Sequence, residues 1–185
     1  MIELFEAAWE LQEFCDQQAW RSCVIGGIAV IRWGHPRVTR DVDLNVLAGF
    51  GGEKRVIEIL LGTFAPRIPD AREFDYLMRV LLLYSANRTG IDVSLGALPF
   101  EEKVIERASS FAFAPNVELR TCSAEDLIVM KLFASRPGDI RDAESVAIRN
   151  RGRLDWNYIE EQLQPLADLK QEPEILRTMA SLREL

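Results

Sequence analysis

Apolar residues near the start of the chain recur at helical spacing. Leu4, Phe5, Ala8, Trp9, Leu11 and Cys15 fall near one side, with Glu6, Glu10 and Glu13 opposite, which predicts an amphipathic helix. Ser22 to Ile25 reads as a short buried strand that ends at Gly26-Gly27, and Ile28 to Trp33 as a short helix closed by Gly34 and Pro36. Strict alternation over Asp41–Val46 and again over Ile91–Leu95 predicts two half-buried strands. Between them the pattern predicts a helix at 52–61 and a strand at 79–85. A helix near 100–108 and short strands near 111–114 and 117–121 follow.

The character changes at Ser123. Ser123-Ala124-Glu125-Asp126 reads as a capping box opening a helix that runs through Ser135 and is broken by Pro137-Gly138. Asp139 is placed to cap a second helix reaching about Asn150, with Gly152 beyond its end. Asp155 is placed to cap a third, and Pro173 suits the first turn of a fourth. The expected fold class is α/β (α+β): a mixed sheet with flanking helices over residues 1–122, then a small C-terminal helical unit over 123–185 packed on it.

Composition narrows the setting. Across 185 residues, 48% are hydrophobic, enough to bury a core in an ordinary globular protein. No apolar run approaches the ~18 residues that a membrane helix needs, and Met1 leads into acidic Glu3 and Glu6 rather than a signal peptide. Three cysteines show neither a paired framework nor metal-knuckle spacing, so the expectation is reduced thiols in the cytoplasm. The net charge of -7 argues against non-specific coating of nucleic acid. A local basic stretch, with Lys131, Arg136, Arg141, Arg149, Arg151 and Arg153, could still receive a polyphosphate or an RNA end; its bland alternative is a solvated helix face.

The segment that carries chemistry is Asp41-Val42-Asp43-Leu44-Asn45-Val46. On a strand, Val42, Leu44 and Val46 face one way and Asp41, Asp43 and Asn45 the other. Two carboxylates spaced so lie roughly 6.5–7 Å apart at Cα and can converge on one cation or bridge two. Ile91-Asp92-Val93 repeats the arrangement, putting Asp92 on the polar side of a second strand. Three such carboxylates suit a hard divalent cation, Mg²⁺ or Mn²⁺, which takes oxygen ligands and keeps waters for substrate phosphates. The alternative is that these are merely the wet faces of two strands. Asp is disfavoured in strands and like charges on one face repel, so that alternative accepts a cost with no return.

Gly26-Gly27, between a strand and a helix, allows close backbone approach with N–H groups facing a phosphate. With Arg37-x-Thr39-x-Asp41-x-Asp43-Leu44 following, the stretch resembles the signature of the DNA polymerase β nucleotidyltransferase superfamily. The double-glycine variant is similar to that of the abortive-infection toxin nucleotidyltransferases of type IV toxin–antitoxin systems. Asp92 matches the third carboxylate of that family. Glu125 to Asp142 looks like its Lys-bearing helix and Arg-x-x-Asp-x-x-Asp segment, so the resemblance covers about residues 22–150. Many relatives carry Gly-Ser where this chain has Gly26-Gly27, which leaves only backbone N–H groups for the triphosphate.

The resemblance implies a two-metal mechanism with Asp41, Asp43 and Asp92 as catalytic and metal-holding groups. Gly26, Gly27, Thr39, Arg40 and Lys131 would bind the nucleotide, with Lys131 neutralising the triphosphate from the edge of an apolar stripe. Arg136, Asp139 and Asp142 stand as a secondary set, and for Asp139 and Asp142 helix capping is the favoured alternative; for Arg40 a plain surface arginine weighs equally. His35, the one histidine, reads as a loop residue. The implied activity is transfer of a nucleoside monophosphate from an NTP such as ATP onto RNA (tRNA among the candidates) or protein, in a toxin-like enzyme with a cognate antitoxin and no membrane partner. The competing readings are a small-molecule nucleotidyltransferase of the aminoglycoside or lincosamide type, and a nucleotide-binding relative without turnover.

Overall fold

The computed structural model describes residues 1–69 and 78–185, with eight helices and seven strands among the described residues. They divide into two compact units. The first is Met1–Ile28 with Val38–Cys122, and the second is Ala29–Arg37 with Ser123–Leu185.

The first unit is built on a mixed sheet ordered β3-β4-β5-β2-β1-β7-β6. Its strands are β1 (Ser22–Val24), β2 (Asp41–Leu47), β3 (Ala65–Pro66), β4 (Val80–Tyr84), β5 (Gly90–Gly96), β6 (Ser109–Ala114) and β7 (Val117–Thr121). The β2/β5 and β1/β7 pairs are parallel, and the remaining pairs are antiparallel. The alternation read from the sequence holds in the two central strands. Val42, Leu44 and Val46 of β2 and Ile91, Val93 and Leu95 of β5 are buried, while Asp41, Asp43 and Asp92 are half-buried. Helix α1 (Ile2–Gln17) buries Leu4, Phe5, Ala8, Leu11 and Cys15 against the β1, β2 and β7 side of the sheet. Two further helices, α3 (Glu53–Leu61) and α4 (Pro99–Glu106), complete this unit; α3 buries Val56, Ile57 and Leu60. Cys15, Cys23 and Cys122 are buried thiols, and burial pushes that of Cys15 up to about 12.

Helix α2 (Gly26–Trp33) starts at the glycine pair itself, two residues before the position expected, and its residues from Ala29 belong to the second unit. The strand β3 was not foreseen, since two exposed edge residues carry no alternation to read.

The second unit adds α5 (Ala124–Ala134), α6 (Pro137–Arg149), α7 (Trp156–Lys170) and α8 (Glu174–Arg183). Helix α5 packs on α6, α7 and α8. Its Ser123 cap forms as expected: the hydroxyl oxygen accepts the Asp126 N–H at 3.1 Å, and Asp155 caps α7 through Asn157 and Tyr158. The expected Asp139 cap does not form. Pro137 opens α6 instead of merely breaking α5, because its missing N–H costs nothing in a first turn; Arg136 takes the N-cap position, and Asp139 lies inside the helix. Among the described residues no helix is long and apolar enough to cross a membrane.

Candidate active site

Parallel pairing of β2 with β5 sets the geometry of the first unit's carboxylates. Asp43 stands directly across from Asp92, and Asp41 directly across from Gly90. Register-paired residues share a sheet face, so Asp41, Asp43 and Asp92 lie together, as the alternation implied.

The glycine pair is fitted to the carboxylate motif. Gly26 has φ +59°, and a Cβ there would stand 2.0 Å from Asp43 Oδ2; at Gly27 a Cβ would stand 2.3 Å from Thr39 Oγ1. Both positions therefore exclude a side chain, one by conformation and contact, the other by contact. The Gly27 N–H donates to Asp43 Oδ2 at 3.3 Å, and the Thr39 hydroxyl donates to Asp41 Oδ1 at 3.2 Å. These bonds aim two acidic side chains from a single loop-and-helix start.

Asp92 has a partner that the sequence reading missed. Arg67 Nη2 donates to Asp92 Oδ1 at 2.5 Å. Arg67 follows β3, its N–H bonds the Leu82 carbonyl at 2.9 Å, and Leu82 pairs with Asp92 in the neighbouring strand. A row of positions thus runs across the sheet from Arg67 through Leu82 to Asp92 and Asp43. No motif marks Arg67; only the strand order brings it there. Burial pushes the Asp92 carboxyl up, the Arg67 guanidinium draws it down, and the Asp41 charge pushes it up again, for a net upward shift.

Among the described residues no three His, Cys, Asp or Glu side chains converge as a ready ligand set for a metal. The donor chemistry at Asp41, Asp43 and Asp92 is nevertheless that of a hard-cation site, with oxygens only. Of the three carboxylates, Asp92 is bonded by a guanidinium, that of Arg67.

The second unit holds an ion cluster of its own. Within the second unit, Lys131 is buried, and its Nζ sits 2.8 Å from Asp139 Oδ1 and 2.9 Å from Asp142 Oδ2. Arg136 Nε donates to Asp139 Oδ2 at 2.6 Å, and Arg37 holds both oxygens of Asp142 at 2.7 and 2.8 Å. Burial raises both carboxyls, but the bonds from Lys131 and Arg136 to Asp139, and from Arg37 and Lys131 to Asp142, leave each below the usual carboxylate range. Lys131 is therefore not the solvent-facing lysine of the bland alternative. Arg40 is exposed, as is His35, whose backbone N–H donates to Ser145 Oγ at 3.2 Å.

A family described as "Nucleotidyltransferase of unknown function (DUF6036)" matches residues 1–174. The chain belongs to that family. No curated protein matches it in sequence. Among solved structures, it is similar to an antigenic nucleotidyltransferase-like protein from Paracoccidioides brasiliensis: TM-score 0.56, 18% identity, 96% of this chain and 92% of that one covered. It is also similar to the lincosamide antibiotic adenylyltransferase LnuA, solved with lincomycin bound (TM-score 0.50, 14% identity, 76% and 94% covered). A third is the antibiotic-resistance factor ANT(2'')-Ia in solution (TM-score 0.50, 15% identity, 94% and 92% covered). At these identities the likeness establishes that this family member has the nucleotidyltransferase fold.

Proposed function

We propose that this nucleotidyltransferase family member moves a nucleoside monophosphate from an NTP to an acceptor hydroxyl at Asp41, Asp43 and Asp92. The observation that carries the reading is the register of β2 and β5, which puts Asp43 opposite Asp92 with Asp41 on the same face. When bound, Mg²⁺ or Mn²⁺ held by these carboxylates supplies positive charge for the triphosphate and lowers the pKa of the acceptor hydroxyl. Asp92 takes the hydroxyl proton as the acceptor oxygen bonds to the α-phosphorus and pyrophosphate leaves. Thr39 and the Gly27 N–H hold Asp41 and Asp43 in place. The family resemblance supports a triphosphate role for Gly26, Gly27, Thr39, Arg40 and Lys131; the Gly27 N–H is itself bonded to Asp43 and the Lys131 ammonium to Asp139 and Asp142.

The resemblance of the double-glycine variant to the abortive-infection toxin nucleotidyltransferases supports RNA, including tRNA, or a protein as acceptor, in a toxin-like enzyme with a cognate antitoxin. The test is incubation of the chain with each labelled NTP, Mg²⁺ or Mn²⁺, and in separate arms total RNA, protein, an aminoglycoside and a lincosamide. Label is expected in RNA or protein, and Asp41→Ala should reduce it by about 10²-fold or more. Transfer unchanged in Asp41→Ala, or none with any NTP, would overturn the reading; label on a drug would replace the acceptor.

A further inference from the structure

Arg67 is placed by the sheet, not by a binding motif, and it reaches the carboxylate that a metal would need. It is half-buried, its side chain 23% exposed against 28% for Asp92. Its backbone is pinned to Leu82, so the head group is delivered across β4 to Asp92 and is not free to wander. The residue opposite Asp41 makes room for it. A Cβ at Gly90 would stand 2.7 Å from Arg67 Nη1, and Asp41 Cβ lies 3.8 Å from that same point. The absence of a side chain at Gly90 leaves the space that the guanidinium occupies while bonding Asp92.

We propose that Arg67 is a built-in competitor for the divalent cation at Asp92. This rests on the metal role given above to Asp41, Asp43 and Asp92. A guanidinium stays charged at all working pH values and occupies a carboxylate through a planar fork. A divalent ion needs the same oxygens at ~2.0–2.6 Å and repels the resident positive charge. The two therefore exchange at Asp92, and the affinity of this chain for its cation is set by how firmly Arg67 holds on. In the absence of ion, Arg67 also relieves the repulsion between Asp92 and Asp41.

The experiment is direct Mn²⁺ binding, followed by the electron spin resonance of the free ion, with no nucleotide and no turnover. Folding of each variant is checked by circular dichroism. Arg67→Gln is expected to tighten Mn²⁺ binding on the order of tenfold, the scale of one charge-assisted hydrogen bond. In an Asp92→Asn background the same change should bring no gain, because the contested oxygens are no longer a carboxylate. Gly90→Ala keeps the arginine's charge but pushes its head group aside, and it should tighten binding in the same direction.

A gain that persists with Asp92→Asn would show only a lost long-range repulsion and overturn the proposal. So would unchanged or weaker Mn²⁺ binding in Arg67→Gln while Asp41→Asn still abolishes binding, and that result would leave the metal site itself standing. Mn²⁺ binding indifferent to Asp41→Asn would overturn the metal site and this inference together.

Discussion

Two groups of aspartates in this chain live under opposite electrostatic regimes. On the sheet of the first unit, Asp41 and Asp92 push against one another, and Asp92 is held above its ordinary pKa by burial and by that repulsion, despite Arg67. In the second unit, Asp139 and Asp142 are buried more deeply, yet both are held below theirs, because Lys131 serves both and an arginine serves each. The residue type is the same. Aspartates matched by fixed cations hold a fold together; aspartates left in mutual repulsion are suited to receive a cation from outside.

The contrast is broken most severely at Asp142. Removing its carboxylate leaves buried Lys131 partly uncompensated, so Asp142→Ala should cost roughly 3–5 kcal/mol, read from urea unfolding. A loss under ~0.5 kcal/mol would mean the cluster does not support the fold.

A smaller effect is expected from acid. Asp139 and Asp142 have folded pKa values below their unfolded ones, so their contribution is fully present above the unfolded carboxylate pKa. It is lost as pH falls through the lowered folded values. Melting temperature should hold from neutrality down to about pH 4.5 and then drop, and the drop should be shallower in Asp139→Asn. A drop of the same steepness in that variant would remove Asp139 from the account.

The smallest effect belongs to the sheet. Asp41→Asn removes a charge that repels Asp92, so stability should change by less than ~0.5 kcal/mol or rise slightly, measured by thermal melting without metal. A loss comparable to that of Asp142→Ala would make Asp41 a structural residue and erase the distinction between the two groups.

Much of this was legible along the chain. Asp41-Val42-Asp43 and Ile91-Asp92-Val93 declare their polar faces because strand side chains alternate with a period of two, and that rule needs no partner strand. Ser123 and Asp155 announced their helices because a cap is a bond to an N–H only two or three residues away. The glycine pair signalled a close approach, although the atoms that press on it, Asp43 Oδ2 and Thr39 Oγ1, include the motif's own side chains.

What depends on distant pairing was not legible. Asp139 has the composition of a cap, but Lys131 and Arg136 draw it into an ion cluster once α5 and α6 pack. Arg37, read as part of a motif beside Asp41, bonds Asp142, a hundred and five positions on. The assignment of Ala29–Arg37 to the helical unit is likewise a matter of packing. Arg67 is the clearest case. Twenty-five residues and a whole intervening strand separate it from Asp92, and only the order β3-β4-β5 and the pairing of Leu82 with both neighbours put guanidinium and carboxylate in contact. Local periodicity determined which carboxylates would share a face. Which cation reaches them was decided by strand order, since hydrogen-bonded neighbours in a sheet are chosen by the whole fold and leave no mark in the residues nearby.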